Sequence, residues 1–517
     1  MKPTHRIAAC VGAILIPLLS ALAALPELPS KPELPSQPQL TGPLPQTARS
    51  HAFGAAAHQN VPLDLGTHGY VEEEYILRGR ARVFDWGPTR TPVVLGQGPY
   101  ATRILVRRPK DAKRFNGTVI VEPFNQSANV DLPIMWAQSH EQFMADGYGW
   151  VGVSTKPNTL RALKLFDSER YAAVGFPNPR PGGGCAAAQI NPLSKPTTVD
   201  DETGLAWDVI SQLGALLKDA VGVRLIGAPV IRLYITGQSQ SAGYARTYAS
   251  VFAHTVESKT GKPLYDAYLY SGSPPWQVPL NQCRKDLAEG DPRLITPAVG
   301  VPVIELFAQG DIGTNIATRR PDSDLAPDYF RRYEVAGASH VDPFEMQSFP
   351  AAADMQRAQG RMSSGDEPDC QPQNVTLSDF PVRYAFDAAW RNLDAWARKG
   401  IVAPRAERLQ LKPDINQFVP EESFVVDALG NARGGLRSTY VDVPTVRWIG
   451  SRRGPFRCMF YGYQIQLSPE QLHRLYPDHA SYVQKVRTTA DQLVTERWLT
   501  PVDRDLAVHT AQQAPVP

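Results

Sequence analysis

A serine between a strand-like and a helix-like segment is the strongest chemical signal in the chain. Residues 234–244 are Tyr-Ile-Thr-Gly-Gln-Ser-Gln-Ser-Ala-Gly-Tyr, with Ser239 at the centre. An apolar run before a serine and small residues after it are typical of a sharp strand-to-helix turn that exposes a nucleophile. Such a turn needs small residues two positions before and after the serine, and Gly237 and Ser241 occupy those positions.

The same segment allows a second register, in which Ser241 is the nucleophile between Ser239 and Gly243. We favour Ser239 because it directly follows the predicted strand and has a glycine on the crowded strand side of the turn. The structural alternative is that Ser239 only caps the helix.

A serine hydroxyl is a weak nucleophile, so it needs a general base that is oriented by an acid. In folds with this turn, the order along the chain is serine, acid and histidine. His340 follows a predicted strand and a glycine-containing turn, whereas the other histidines after Ser239 precede the acid-bearing strand or lie in a polar C-terminal segment. The sequence therefore predicts His340 as the base.

The acid has several candidates. Asp311 directly follows the predicted strand 301–307, where a carboxylate can reach the far nitrogen of the histidine. The competing carboxylates are Glu305 inside that strand and Asp322 and Asp324 in a later polar loop. Because Asp322 lies beside two arginines, an ion pair is its structural alternative. We favour Asp311.

Two backbone N–H groups are expected to stabilise the developing oxyanion. Gln240, the residue after the nucleophile, is expected to supply one of them. The second donor is predicted in the loop 122–127 after an early β-branched strand, at Phe124 or Asn125. Pro123 is excluded because it has no N–H.

Short apolar segments alternate with helical patterns along the middle of the chain. The predicted strands are 75–84, 102–106, 118–121, 150–154, 230–236, 267–270, 301–307 and 333–335. The predicted helices are 135–144, 204–217 and 242–252. This alternation predicts an α/β fold with a mostly parallel central sheet and helices on both faces, after one antiparallel pair. The chemistry of such sheets lies at the carboxyl ends of the strands.

The N-terminus is typical of an export signal. Lys2 and Arg6 precede an apolar run over 7–25, and 21–23 is a small-residue cleavage motif. An uncleaved anchor is the alternative, but Pro17 interrupts the run. We expect residues 1–23 to be removed on export to the periplasm or the medium, which leaves no membrane span.

Composition divides the remaining chain into a spacer, a core and an extension. Residues 24–50 form the predicted spacer, because seven prolines lie between positions 24 and 46 and five of them recur every third residue, as in a polyproline II helix. The predicted catalytic core is 51–410, with a Pro- and Gly-rich lid at about 156–200. Residues 411–517 are expected to pack on the core, with a helix over 469–493.

Export into an oxidising compartment would allow disulfide bonds. Cys10 leaves with the signal, and the remaining cysteines are Cys185, Cys283, Cys370 and Cys458. Four cysteines allow three pairings, and free thiols are a further alternative. We favour Cys185 with Cys283 and Cys370 with Cys458, since each pair would tie one loop to another. Their spacing does not suggest a zinc site.

The overall composition limits the classes of partner. The 517 residues are 43% hydrophobic and carry 53 basic against 51 acidic side chains, which is ordinary for a globular protein. A nearly neutral chain gives no electrostatic argument for binding nucleic acid or an anionic membrane. Trp276, beside Pro274 and Pro275, could form an apolar wall for an acyl group, and ordinary packing is its alternative.

With these motifs in place, the chain resembles the α/β-hydrolase superfamily, within a family of large exported bacterial alpha/beta hydrolase domain proteins. The Gly-Gln-Ser-Gln-Ser turn is also similar to the Gly-Tyr-Ser-Gln-Gly of cutinases. The family resemblance covers about 70–502 and includes 320–322, 334–337, Asp427 and the glycine pairs near 430 and 434.

The resemblance implies a serine hydrolase of small-molecule or polymeric carboxylic esters, with no metal or organic cofactor. It does not identify the substrate, because fold and family alone do not determine function. An amidase, peptidase or lactonase with the same triad is the first alternative. A non-catalytic binding protein is the second.

Overall fold

The computed structural model describes residues 36–47, 49–88, 91–180, 185, 197–254, 262–283, 287–288, 290–360, 369–413 and 420–516. The predicted signal peptide and the first part of the predicted spacer lie outside these residues. Among the helices described, none is long and apolar enough to cross a membrane.

A ten-stranded sheet forms the centre of the described structure, in the order β1-β2-β3-β5-β4-β6-β7-β8-β10-β9. The strands are β1 (Gln39–Thr41), β2 (Tyr70–Trp86), β3 (Pro92–Pro109), β4 (Thr118–Pro123), β5 (Gly149–Val153), β6 (Arg232–Gln238), β7 (Ala267–Ser271), β8 (Val303–Ala308), β9 (Ser323–Leu325) and β10 (Asp328–Val335). The six strands from β5 to β10 in this order pair in parallel. The remaining neighbours pair antiparallel. The expected mostly parallel sheet is confirmed.

The parallel strands are short and apolar because both of their faces are buried. In β6, Leu233 and Ile235 belong to the apolar core on one face, and Tyr234 between them belongs to the core on the other. All three side chains are fully buried. This alternation follows from the two-residue period of a strand.

Helices cover both faces of the sheet, as expected for this fold class. They are α1 (Ile134–Ala145), α2 (Pro157–Phe166), α3 (Leu205–Leu217), α4 (Ala220–Ile226), α5 (Gln240–Val251), α6 (Ile312–Asn315), α7 (Pro343–Gln347), α8 (Ala352–Arg357), α9 (Arg383–Lys399), α10 (Pro420–Ser423), α11 (Thr439–Asp442), α12 (Pro469–Leu475), α13 (His479–Thr495) and α14 (Pro501–Gln513). Helices α3 and α5 contribute to one apolar core, and α1 and α9 contribute to the other.

The end of the predicted spacer is part of the sheet. Residues 39–41 form β1 and pair antiparallel with Ile76, Leu77 and Arg78 of β2, and Leu40 packs against the apolar core. The expectation of a solvated spacer is therefore wrong for these residues. The edge of β2 offers unpaired backbone groups, and a short extended segment satisfies them.

The predicted lid begins with a core helix. Leu160, Leu163 and Phe166 recur every third residue of α2 and are buried in the core. This periodicity is typical of an amphipathic helix, so the first part of the segment is not a lid. Residues 181–184 and 186–196 of the same segment lie outside the described residues.

In the described residues, the C-terminal segment contributes the helices α10 to α14 and two strands of a small sheet. A small sheet has the order β11-β13-β12, formed by β11 (Thr376–Leu377), β12 (Val446–Ile449) and β13 (Tyr463–Gln466). The helix expected over 469–493 is instead two helices, α12 and α13. Pro477 between them lacks an amide hydrogen and cannot continue a helix, which explains the break.

Both favoured cysteine pairs lie at disulfide distance. The Cα atoms of Cys185 and Cys283 are 5.0 Å apart, and those of Cys370 and Cys458 are 5.5 Å apart. The second pair joins the loop before β11 to the turn before β13, so it links two segments that are 88 residues apart.

Replacing Cys370 and Cys458 together by serine should lower the free energy of unfolding by about 3 to 5 kcal/mol, because the unfolded chain gains the entropy of a long open loop. Chemical denaturation of the variant and the parent protein measures this change. Peptide mapping without reductant is the control, and a bond from Cys370 to Cys185 or Cys283 would contradict the pairing.

Candidate active site

Ser239 lies at a strained turn between β6 and α5. Its backbone has φ of 56° and ψ of −122°, a conformation that residues other than glycine rarely adopt. The turn brings β6 and α5 so close that a Cβ on Gly237 would lie 2.5 Å from the backbone of Ser241. Only glycine fits there, as the sequence predicted. The strain is located at the residue expected to attack the substrate.

Ser241 has a different role in the turn. Its hydroxyl accepts a hydrogen bond from the Gln238 amide (3.0 Å) and donates one to the Gln238 carbonyl (2.9 Å). The side chain is fully buried, whereas Ser239 is partly exposed. The register with Ser241 as nucleophile is therefore disfavoured. At this small-residue position the Ser241 hydroxyl bonds to both backbone groups of Gln238, the last residue of β6.

His340 and Asp311 form a buried pair at the carboxyl edge of the sheet. His340 Nδ1 lies 2.6 Å from Asp311 Oδ1, and Asp311 Oδ2 accepts a hydrogen bond from the Ala308 amide at 2.9 Å. Asp311 follows β8, and His340 follows β10, which is paired in parallel beside it. Gly272 adopts a positive φ against this pair, and a Cβ there would be 3.0 Å from both side chains.

The competing carboxylates are engaged elsewhere. Glu305 accepts a hydrogen bond from the Tyr270 hydroxyl at 3.0 Å inside the sheet. Asp322 pairs with Arg408 at 2.6 Å rather than with either of the arginines beside it in sequence. Asp324 also pairs with arginines. Among the four acids considered, Asp311 is the one that contacts His340.

Gln238, which the sequence analysis did not single out, contacts the other side of the histidine. Its Nε2 lies 3.3 Å from His340 Nε2 and donates a hydrogen bond to the His340 carbonyl at 3.0 Å. Among the described residues, no hydrogen bond joins Ser239 Oγ to His340. Both side chains nevertheless line the same two cavities. Such bonds often tighten only when substrate is bound.

The predicted second oxyanion donor needs correction. The Phe124 amide donates to the Val153 carbonyl at 3.0 Å, and the Asn125 amide donates to the Leu132 carbonyl at 2.9 Å. Both N–H groups are therefore used within the fold. The next amide in this loop, that of Gln126, makes no hydrogen bond to a described residue. The Phe124 amide bonds to the last residue of β5, and the Asn125 amide bonds to a residue before α1; sequence motifs show neither bond.

The loop 122–127 nevertheless helps to hold the serine turn in place. The Asn125 side-chain amide donates to the Gln238 carbonyl at 2.9 Å, which ties the loop directly to the serine turn. Glu122 at the end of β4 accepts bonds from the first amides of α1, at Met135 and Trp136. Burial raises the pKa of Glu122 to about 7.

Two adjoining cavities open beside Ser239. The apolar wall of the first is formed by Pro274, Pro275, Trp276, Val278, Phe456, Met459 and Phe460. Trp276 therefore lines this cavity, as its position after β7 suggested. Phe456–Phe460 come from the C-terminal segment, and sequence analysis gave no signal for them. Cys458 in the same turn links them to Cys370.

Lys156 also lines the first cavity, and the residue is buried, with 9% of its surface exposed. Sequence analysis noted it only as the start of the predicted lid. Its place three residues after the end of β5, at the carboxyl edge of the sheet, is the signal in the sequence for this residue.

Two buried acids, Asp342 and Glu345, follow His340 in the chain. Gln138 Nε2 donates to Asp342 at 3.3 Å and to Glu345 at 2.8 Å. Burial raises the pKa of Asp342 to about 6; burial, followed by the charge of Asp342, raises the pKa of Glu345 well above its ordinary value. Asp342 also caps α7 through the Glu345 amide, which fixes the segment after His340.

One cluster of metal-ligating residue types occurs in the described part of the chain, at His51, His58 and Asp354. The two imidazole rings are stacked 3.6 Å apart and nearly parallel, and His51 Nε2 lies 2.9 Å from Asp354. Parallel rings direct their nitrogen lone pairs side by side rather than to a common point. The three residues form a stacked His–His–Asp contact away from both cavities.

Three solved structures resemble parts of this chain at low sequence identity. A thermostable esterase from Pseudomonas putida is 12% identical, with a TM-score of 0.30, over 59% of this chain and 84% of the esterase. A poly(3-hydroxybutyrate) depolymerase from Bordetella parapertussis is 13% identical, with a TM-score of 0.24, over 66% and 87%. An alpha-beta serine hydrolase homologue from Coxiella burnetii is 11% identical, with a TM-score of 0.25, over 54% and 95%.

No curated protein matches the chain. A family model described as "Alpha/beta hydrolase domain" matches residues 40–509, which is most of the chain and includes Ser239, Asp311 and His340. The central sheet and its helices agree with that description. The chain therefore belongs to this family of alpha/beta hydrolase domain proteins.

Proposed function

We propose that this protein is an exported serine hydrolase that cleaves carboxylic esters through Ser239, His340 and Asp311. The observation that carries the proposal is the strained backbone of Ser239 beside a histidine that is paired with a buried carboxylate. These groups lie at the carboxyl edge of the sheet and share a cavity with an apolar wall. A strained nucleophile in such surroundings is typical of acyl transfer.

In the proposed reaction, His340 Nε2 takes the proton of Ser239 as the oxygen attacks the ester carbonyl. Asp311 holds the Nδ1 hydrogen bond and stabilises the imidazolium that forms. Collapse of the tetrahedral intermediate gives an acyl-enzyme and releases the alcohol, which receives the proton from His340. Water then attacks the acyl-enzyme by the same route and frees the acid and Ser239.

This mechanism requires Gln238 to give up its contact with His340 Nε2, because Ser239 must bond to the same nitrogen. We propose that substrate binding displaces this amide. For the oxyanion we propose the amides of Gln240 and Gln126 as donors, because those of Phe124 and Asn125 are already engaged. The acyl chain is proposed to occupy the first cavity along Trp276.

Export is proposed from the N-terminal signal in the sequence. The two cysteine pairs at disulfide distance support an oxidising compartment.

The class of bond that is cleaved can be tested directly. Turnover of short 4-nitrophenyl esters, with little turnover of the matching 4-nitroanilides, supports the ester hydrolase. Faster turnover of anilides or peptides would favour the amidase or peptidase alternative with the same triad. Failure to hydrolyse any member of a broad ester, lactone and amide panel would favour a binding protein.

Ser239→Ala should lower ester turnover by about 10⁴-fold or more, because the attacking oxygen is removed. Ser241→Ala is the matched control: it should lower stability by about 1 kcal/mol through its lost hydrogen bonds and retain measurable turnover. Steady-state kinetics and thermal unfolding of both variants check this. A dead Ser241→Ala with an active Ser239→Ala would reverse the assignment.

Asp311→Asn should lower kcat by about 10³- to 10⁴-fold, since the amide cannot orient and stabilise His340 as a carboxylate does. Asp324→Asn, which removes a carboxylate that pairs only with arginines, serves as the control and should stay close to the parent rate. Near-normal turnover by Asp311→Asn would show that another acid supports the histidine.

A further inference from the structure

Lys156 is held in an unusual position for a lysine. It is the N-cap residue of α2, where its carbonyl accepts a hydrogen bond from the Leu160 amide at 3.2 Å. Pro157 follows as the first helical residue, so the backbone is fixed at this point. A lysine at the end of a helix usually extends its ammonium group into water. This one is turned inward, to the wall of the first cavity.

The ammonium group has no opposite charge beside it. In the described structure, no carboxylate forms an ion pair with Lys156, and its one aromatic contact is the ring of Tyr244, whose centre is 5.1 Å from Nζ. A cation–π contact replaces only part of the hydration that burial removes. Burial therefore lowers the pKa of Lys156 to about 7.

The cavity supplies no anion of its own for this lysine. The acid in its wall is Asp311, which is already bonded to His340. Most of the remaining wall is apolar, formed by residues such as Trp276 and Phe460. A buried cation in an apolar cavity beside a candidate nucleophile is a costly arrangement that an anionic ligand would relieve.

We infer that Lys156 pairs with a carboxylate on the acyl part of the substrate, so the preferred substrates are esters of dicarboxylic acids or similar acids with a second, ionised group. The inference rests on the proposed ester hydrolysis at Ser239. One ammonium group matches the single charge of a carboxylate and can donate to its oxygens. The methylene groups between the two ends of such an acid would pack against the apolar wall.

A pair of matched esters tests this inference. The first is the 4-nitrophenyl half-ester of adipic acid, which carries a free carboxylate. The second is the 4-nitrophenyl ester of adipic acid monoamide, which has nearly the same shape and no charge. The quantity to measure is the ratio of their kcat/KM values at pH 6, for the parent protein and for Lys156→Met, Lys156→Arg and Lys164→Met.

The parent protein should prefer the charged ester, and Lys156→Met should lower the ratio by about 10- to 100-fold. Lys156→Arg should keep a preference for the charged ester. Lys164→Met removes an exposed lysine of the same helix and should leave the ratio unchanged. Equal losses on both esters in Lys156→Met, or a parent preference for the amide, would overturn the inference.

Failure of the proposed function has a different signature. If Ser239 does not hydrolyse esters, neither compound is turned over by the parent protein. Calorimetric titration with adipate then still tests the lysine: binding that is lost in Lys156→Met and kept in Lys164→Met supports an anion site without ester hydrolysis. Absence of both turnover and lysine-dependent binding would overturn both proposals.

The pH dependence of the ratio gives a second test. Lys156 is cationic below its lowered pKa, so the preference for the charged ester should be largest below about pH 7 and should decline as the pH rises. The other titratable groups in the cavity wall are Asp311 and His340, which serve both esters alike and cancel in the ratio. Tyr244 stays neutral because burial raises its pKa. A ratio that is independent of pH between 6 and 9 would contradict a role for this lysine.

Thermal unfolding tests whether Lys156 serves only to stabilise the fold. The unfolded chain, with an ordinary lysine pKa of 10.5, binds more protons than the folded chain between pH 7 and 10.5. The destabilising effect of Lys156 is therefore complete below pH 7 and disappears toward pH 10.5. Lys156→Met should raise the melting temperature at pH 6 more than at pH 10, whereas a lower melting temperature at both would indicate a structural partner.

Discussion

The backbone of Ser239 is the constraint on which the rest of the site depends. A positive φ at this residue directs its side chain out of the sheet, and it is tolerated only because the surroundings hold it. Gly237 allows β6 and α5 to approach, Ser241 closes the strand end, and Asn125 ties the neighbouring loop to the same carbonyl. Each of these residues contacts the turn itself.

Distant segments complete the cavity around that turn. The carboxyl ends of the parallel strands bring Asp311 and His340 together because β8 and β10 are neighbours. Phe460, from the C-terminal segment, packs 4.8 Å from the His340 ring, and its turn is linked through Cys458 to Cys370. The C-terminal extension therefore forms part of the site rather than only a surface layer. A covalent link there would keep an apolar wall in place while substrate enters and leaves.

Local signals in the sequence predicted most of the sheet and the order of the candidate triad. The strand, the glycine and the serine of the turn are adjacent in sequence, so their geometry follows from short-range sterics. Non-local pairing was harder to predict. Nothing in the sequence indicates that the amides of Phe124 and Asn125 bond to the carbonyls of Val153 and Leu132, or that residues 39–41 extend the sheet. The position of Lys156 after β5 can be read from the sequence, whereas its burial without an ionic partner is visible only in the packed structure.

Covalent labelling can identify the nucleophile, which we propose to be Ser239. The protein would be treated with a serine-directed organophosphate until ester turnover stops, digested, and mapped by mass spectrometry. The account predicts one phosphorylated peptide, modified at Ser239, with Ser241 unmodified because its hydroxyl is buried and bonded to Gln238. An adduct on another residue, or full turnover with no adduct, would contradict the account.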